Sequence, residues 1–237
     1  MDASTAIPHL EETVVATTRY LGALTELTDD QMRAPSLLPG WTRGHVVTHV
    51  ARNADALRNL VHWAETGVET PMYPSPEQRD ADIEAGAGRS ADELRLDASA
   101  SAGRFLQAVN ELDVAHQDVR VSRTPGGQTF RVRWVGTLRW IEVAVHHADL
   151  DVGYTHRDWP PGFAELMLKR VQNDRAEGPA MVLRSTDAEG LWKYGVEGQG
   201  PEITGTVRDL AWWVLGRGDG TGLSSSIGEL PDIGKWR

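Results

Sequence analysis

The segment from Leu138 to Gly153, LRWIEVAVHHADLDVG, constrains the chain more than any other. Val143, His146 and Leu150, with Ile141, Val145 and Ala148 beside them, keep helical spacing, and neither Pro nor Gly interrupts the run before Gly153. One continuous helix is therefore expected. Glu142 and His146 stand four residues apart on it, hence on one face and one turn apart. A carboxylate and an imidazole so held are donor types that a borderline cation such as Zn²⁺ takes, although the same spacing also describes an ordinary exposed ion pair. The neighbours Trp140, Ile141, Val143, Ala144 and Val145 are apolar, an odd setting for a merely solvated carboxylate.

A second pair lies upstream. GWTRGHVVTHVARNADAL, Gly40 to Leu57, carries His45 and His49, again four residues apart. Thr42 can cap a helix running from about Arg43 to Glu65, where Gly67 stops it. Its core face would hold Val46, His49, Val50, Ala54, Leu57 and Val61, so His49 is in phase with the apolar stripe and His45 lies a turn nearer the entrance. His49 reads either as a core histidine bonded to a carbonyl or as a third ligand; His45 reads as a partly exposed helix residue. Facing helices that each present ligands are one established way to build a metal site.

Composition narrows the function. There are no cysteines, hence no disulfide and no thiolate zinc cluster, and any thiol chemistry must use a thiol brought from outside. A net charge of −10 argues against nucleic acid and anionic membranes as partners. MDASTAIPHLEE does not read as a signal peptide and no apolar run approaches the ~20 residues that span a bilayer, so a cytoplasmic protein is expected. No feature of the sequence fixes an oligomeric state.

Taken in order, Pro8 to Leu27 reads as a helix with Leu10, Val14, Val15, Leu21, Leu24 and Leu27 as its apolar positions, ended by Thr28-Asp29-Asp30. Glu69 to Arg79, with three prolines, reads as a loop or lid over the bundle end. Ser90-Ala-Asp-Glu93 is a capping-box pattern opening a helix through Val109. Phe130, Val132 and Trp134 alternate as in a short strand after the Pro125-Gly126-Gly127 turn. The first half is thus a four-helix pattern. Asp158-Trp-Pro-Pro-Gly162 is a linker candidate, which gives domains of 1–157 and 158–237. Beyond it a helix over Phe163 to Asn173, strands at Ala180 to Arg184, Leu191 to Val196 and Glu202 to Gly205, and a helix over Asp209 to Leu215 read as a small α+β domain, closed by Gly- and Ser-rich loop.

The long block from Gly40 to Arg79, followed by IEVAVHHADL and then GRGDGTG, resembles the mycothiol-dependent maleylpyruvate isomerases, a branch of the DinB-like metal-binding bundles. The resemblance runs over nearly the whole chain. It implies an α+β protein, a DinB-like four-helix domain followed by a small α/β domain of sterol-carrier-like type. It also implies one divalent metal, usually zinc, held by His49, Glu142 and His146, and mycothiol as the thiol. The family's catalytic arginine in its C-terminal Gly-Arg-Gly loop corresponds to Arg217. The implied activity is the isomerase step of gentisate-type aromatic degradation.

Chemistry agrees with that implication. Turning a cis double bond into a trans one requires the bond to become single for a moment. Addition of a thiolate, rotation and elimination achieve this, and a metal with an open position deprotonates a bound thiol at neutral pH. Arg217 can grip a substrate carboxylate or stabilise the enolate, or simply bond the free carbonyls of a helix end. Arg79, closing the proline-rich segment, is a further carboxylate-binding candidate. His147 points about 100° around the helix from His146 and reads as a neighbour, not a ligand. Asp149 can accept a ring N–H from His146, cap a turn or face solvent. Two other readings stay open: a DinB-like thiol S-transferase acting on other electrophiles, and a non-enzymatic metal-binding module with a closed ligand set. The expected partners are a small-molecule substrate and a low-molecular-weight thiol.

Overall fold

Four long helices form the first of two compact units in a computed structural model that describes residues 6–195 and 200–234; the units are Met1–Gly153 and Tyr154–Arg237. The helices are α1 (Leu10–Leu24), α3 (Arg43–Thr66), α5 (Ala91–Glu111) and α6 (Val135–Asp149), and they pack in a ring in the order α1, α6, α3, α5. Two shorter helices accompany them, α2 (Asp29–Arg33) and α4 (Pro76–Ala87). Capping boxes start three of the six: Thr28 with Gln31 for α2, Thr42 with His45 for α3, Ser90 with Glu93 for α5. Each such box satisfies amide groups that a helix start leaves unpaired. Leu57, Leu60, Leu94, Phe105 and Leu150 are fully buried inside the ring. Each contributes roughly 1.5–3 kcal/mol relative to exposure.

Helix α1 departs from expectation. It runs from Leu10 to Leu24, and its buried face is Thr13, Thr17, Tyr20 and Leu24, while Val14 and Val15 are exposed. Thr13 reconciles its hydroxyl with burial by sharing its one O–H between the Gly136 carbonyl of α6 at 2.9 Å and the His9 carbonyl at 2.7 Å. The proline-rich segment is also not loop throughout. Ser75 accepts from the Gln78 amide and Pro76 sits at the first helical position, which starts α4 inside it. Of the expected strand only Thr129–Arg131 (β2) pairs, antiparallel to Arg120–Ser122 (β1). Val132 to Trp134 turn into a 3₁₀ segment, because the amides of Val132 and Arg133 bond back to Val119 and Gln117. Helix α6 therefore begins at Val135, earlier than its apolar spacing indicated, and ends at Asp149.

The second unit contains α7 (Pro161–Asp174), strands β3 (Met181–Ser185), β4 (Leu191–Tyr194) and β5 (Glu202–Gly205), α8 (Val207–Val214) and a two-residue strand β6 (Ser224–Ser225) in what read as loop. The sheet order is β4-β3-β5-β6, with β3 parallel to β5 and both outer pairings antiparallel. Val196, expected to close β4, lies outside the described residues. The Asp158-to-Gly162 segment belongs to this unit: Trp159 is fully buried and Pro160 caps α7. Tyr194 donates its hydroxyl to the Leu168 carbonyl at 2.5 Å, tying β4 to α7. No described helix is long and apolar enough to cross a membrane.

Among the described glycines of the first unit the tightest surroundings are at Gly44 of α3, where an added Cβ would lie 2.2 Å from the Ala87 carbonyl oxygen. Gly44→Ala should therefore destabilise the protein by about 1–3 kcal/mol, because backbone cannot give way as a side-chain tip can. Chemical denaturation would measure this, and a wild-type midpoint would refute the close contact.

Candidate metal centre

Helices α3 and α6 face each other, and the turn carrying His49 meets the turn carrying Glu142 and His146. Among the described residues these three form a group whose ligand atoms all lie within 4.8 Å of one another. His49 Nε2 lies 3.1 Å from Glu142 Oε2, and His146 Nε2 lies 3.5 Å from the same oxygen. The imidazoles stand edge to face, 4.5 Å between centroids. The site sits at the margin of the core: the His49 side chain is 7% exposed, that of His146 13% and that of Glu142 24%. Asp149, with no exposed side chain, contacts His146 Nδ1 at 2.9 Å. It thereby holds the ring with Nε2 toward Glu142, as an acceptor behind a ligand histidine does.

His45 has a different task. Its Nδ1 accepts from the Thr42 amide at 3.2 Å, completing the cap of α3, which leaves Nε2 to meet Glu84 Oε2 at 3.1 Å. It stands outside the three-donor group. His147 is buried against Tyr20, 5.7 Å between centroids and edge to face, and is likewise outside the group. Arg79, on the first turn of α4, brings Nη2 to 3.3 Å from His49 Nδ1, the ring nitrogen turned away from Glu142. Its guanidinium also pairs with Asp80 at 2.6 Å and lies 5.9 Å from the Tyr73 ring centre. Arg217 belongs to the second unit. It follows α8 between Gly216 and Gly218, both with φ near +70°, is buried, and donates from Nη1 to the Leu215 carbonyl at 3.1 Å.

Three groups around the centre had no signal in the sequence. Trp41, just ahead of the cap of α3, lies 5.7 Å from the His49 ring. Tyr73 sits in the proline-rich segment; burial and the charge of Glu142 push its phenol up to about 12, so it stays a proton-bearing donor at neutral pH. Arg139, one turn before Glu142, is fully buried. A tyrosine followed six residues later by an arginine carries no periodicity, and an arginine inside an apolar helix reads as an outward-facing charge.

The protonation pattern follows from this packing. Burial first, then the positive charge of His146, pull His49 down to about 4, against its bond to Glu142. Burial also opposes the charges on Glu142 and His146, yet their partners prevail. Hydrogen bonds from His146 and His49 hold the Glu142 carboxyl well below the usual range, and those to Asp149 and Glu142 raise His146. In metal-free protein His49 titrates lower folded than unfolded. Its contribution to stability is then complete above about pH 6.5 and lost as the pH falls toward 4. His146 has the opposite sign: its contribution is complete below about pH 6.5 and lost as the pH rises through its raised folded value. Chelator-treated protein should lose on the order of 3 kcal/mol between pH 6.5 and 4, read from denaturation midpoints. His49→Ala should flatten that loss, and an undiminished loss in the variant would refute the assignment.

The family described as the mycothiol maleylpyruvate isomerase N-terminal domain matches residues 15–151. A crystal structure of the mycothiol-dependent maleylpyruvate isomerase is 31% identical, covering 96% of this chain and 95% of its own at a TM-score of 0.90. A histidine-to-alanine mutant of an isomerase so described is 30% identical with the same coverage and TM-score. No curated protein sequence matches. With more than half its length in the family's N-terminal domain and its full fold shared with the solved isomerase, this chain belongs to the mycothiol-dependent maleylpyruvate isomerase family.

Proposed function

We propose that the protein catalyses the mycothiol-dependent isomerisation of maleylpyruvate to fumarylpyruvate, a step of gentisate-type aromatic degradation, with zinc held by His49, Glu142 and His146. The observation that carries this reading is the convergence of two imidazole nitrogens and one carboxylate oxygen in a family member without a single cysteine. The donor set suits a borderline divalent cation, and three donors leave one position of a four-coordinate ion open. When bound, such an ion supplies a position at which an incoming thiol is held deprotonated at neutral pH.

The residues divide the remaining work. Glu142, already ionised, offers an anionic donor with no proton to lose. Asp149 accepts the hydrogen bond of the His146 Nδ1–H, which leaves Nε2 as the nitrogen free to ligate. The packing of His49 against Trp41 limits water on its side of the site. The substrate is a dicarboxylate, and Arg79 and Arg217 are the two guanidiniums we assign to its carboxylates. Arg79 is supported by its position beside His49 and Tyr73. Arg217, the catalytic arginine of this reading, is supported by the resemblance of its Gly-Arg-Gly loop to the family's. A two-pronged guanidinium also suits the enolate that forms when a nucleophile adds to the activated alkene. We assign the activity to the cytoplasm, where a reducing pool keeps a low-molecular-weight thiol free.

Dialysed protein should be inactive on maleylpyruvate until mycothiol is added, and the thiol should not be consumed over many turnovers. A chelator should abolish the activity at saturating thiol, since a free thiol of pKa near 8.5 is mostly protonated at pH 7. Isomerisation without added thiol would overturn the mechanism, and stoichiometric thiol consumption would indicate a transferase. Arg217→Lys should cost about 100-fold or more in turnover with metal content intact, because an ammonium cannot reproduce the bidentate geometry. Wild-type turnover in that variant would return Arg217 to a purely structural role.

A further inference from the structure

Arg139 is 1% exposed, and among the described residues no carboxylate lies within 4.0 Å of its guanidinium. Its hydrogen-bond partners are both neutral: Nη1 donates to the Val50 carbonyl at 2.7 Å and to Asn53 Oδ1 at 3.0 Å, while Nε has no partner among the described residues. Burial lowers this guanidinium to about 10, against the opposing influence of Tyr20, Glu142, Tyr73 and Asp55, so it is still charged at neutral pH. A buried cation with no anion in direct contact is costly, and an apolar side chain of similar volume is often neutral or stabilising in its place. Stability alone therefore gives no reason for an arginine here.

Its position supplies one. Arg139 lies three residues before Glu142, one turn earlier on the same face of α6. Its acceptors on α3 are Val50, the residue after His49, and Asn53, one turn beyond His49. The guanidinium thus bridges the two helices, its anchor points on each lying within a turn of His49 and Glu142. We propose that Arg139 is a positioning residue that fixes the spacing of α3 and α6, so that His49 Nε2 arrives at the donor pair Glu142 and His146. This rests on the reading of those three residues as a metal centre. An alternative effect has the opposite sign: if Arg139 acted through charge alone, removing a nearby cation would tighten binding of a dication.

Co²⁺ is the probe, because its visible d–d bands report coordination geometry without reference to turnover. Arg139→Met combined with Asn53→Leu removes the cation and its amide acceptor together, and should keep the wild-type unfolding midpoint or raise it. Co²⁺ affinity, measured by chelator competition, should fall about 10- to 100-fold with altered d–d bands. Unchanged affinity and bands, or tighter binding, would overturn the proposal. Asn53→Ala keeps the arginine and removes one acceptor, so it tests the same point should the double variant fail to fold. Its bands should shift in the same direction, and unchanged bands would again overturn the proposal. Wild-type protein that takes up no Co²⁺ would instead sink the metal centre itself, and this inference with it.

Discussion

A carboxylate at the margin of an apolar core needs hydrogen-bond donors, and the arrangement of the first unit follows from how Glu142 obtains them. One donor is local, since His146 lies a turn further along α6. The other, His49, must come from α3, 93 residues away in sequence. Bringing it there fixes the approach of the two helices. The start of α3 is set by its capping box, and its position against α6 is further held by Arg43, whose guanidinium donates to the Leu150 and Asp151 carbonyls beyond the end of α6. Asp149 completes the set from behind. A fully buried acid is itself unfavourable, but here its partner is the ring whose orientation the site requires.

Much of this was legible in the sequence because it is local. The helices of Glu142 and of His49 announce themselves by uninterrupted apolar spacing, and Ser90 with Glu93 marks the start of α5 in two residues. The face of α1 was not legible, because spacing of apolar residues assumes that hydroxyls face water. Thr13 instead buries its hydroxyl against carbonyls of its own helix and of α6, and Val14 and Val15 are left outside. The start of α4 was masked by three prolines in eleven residues, although Ser75-Pro76 is itself a helix-start signal. The three donors of the centre were legible as candidates. What surrounds them was not: Trp41, Tyr73 and Arg139 reach the site through tertiary contacts that leave no periodic trace.

The two histidines of α3 show how little spacing decides without context. His45 and His49 are the same residue type on one helix, a turn apart. His45 occupies the third position after the N-cap, where its Nδ1 is needed by the Thr42 amide, and its remaining nitrogen meets an exposed glutamate. One turn later no cap amide remains to be satisfied, and the ring of His49 turns inward against Trp41 and His146. The helix start thus separates a capping histidine from a donor histidine.

The charge balance at the centre bears on what it can accept. The chain as a whole carries −10, which would repel a dianionic substrate. Exposed charges are screened over about 8 Å at physiological ionic strength, whereas buried ones are screened much less. Close to the donors stand the carboxylates Glu142 and Asp149, with Asp80 paired to Arg79, and two guanidiniums, the buried Arg139 and the partly buried Arg79. These groups sum to a single negative charge, so a divalent ion would leave the centre with one positive charge in excess. Anionic reactants would then supply the missing balance, a thiolate and a carboxylate among them. A neutral substrate would leave that excess of positive charge in place. With a divalent ion bound, the local charge would oppose the sign of the whole protein, which lets a strongly acidic chain serve anionic chemistry.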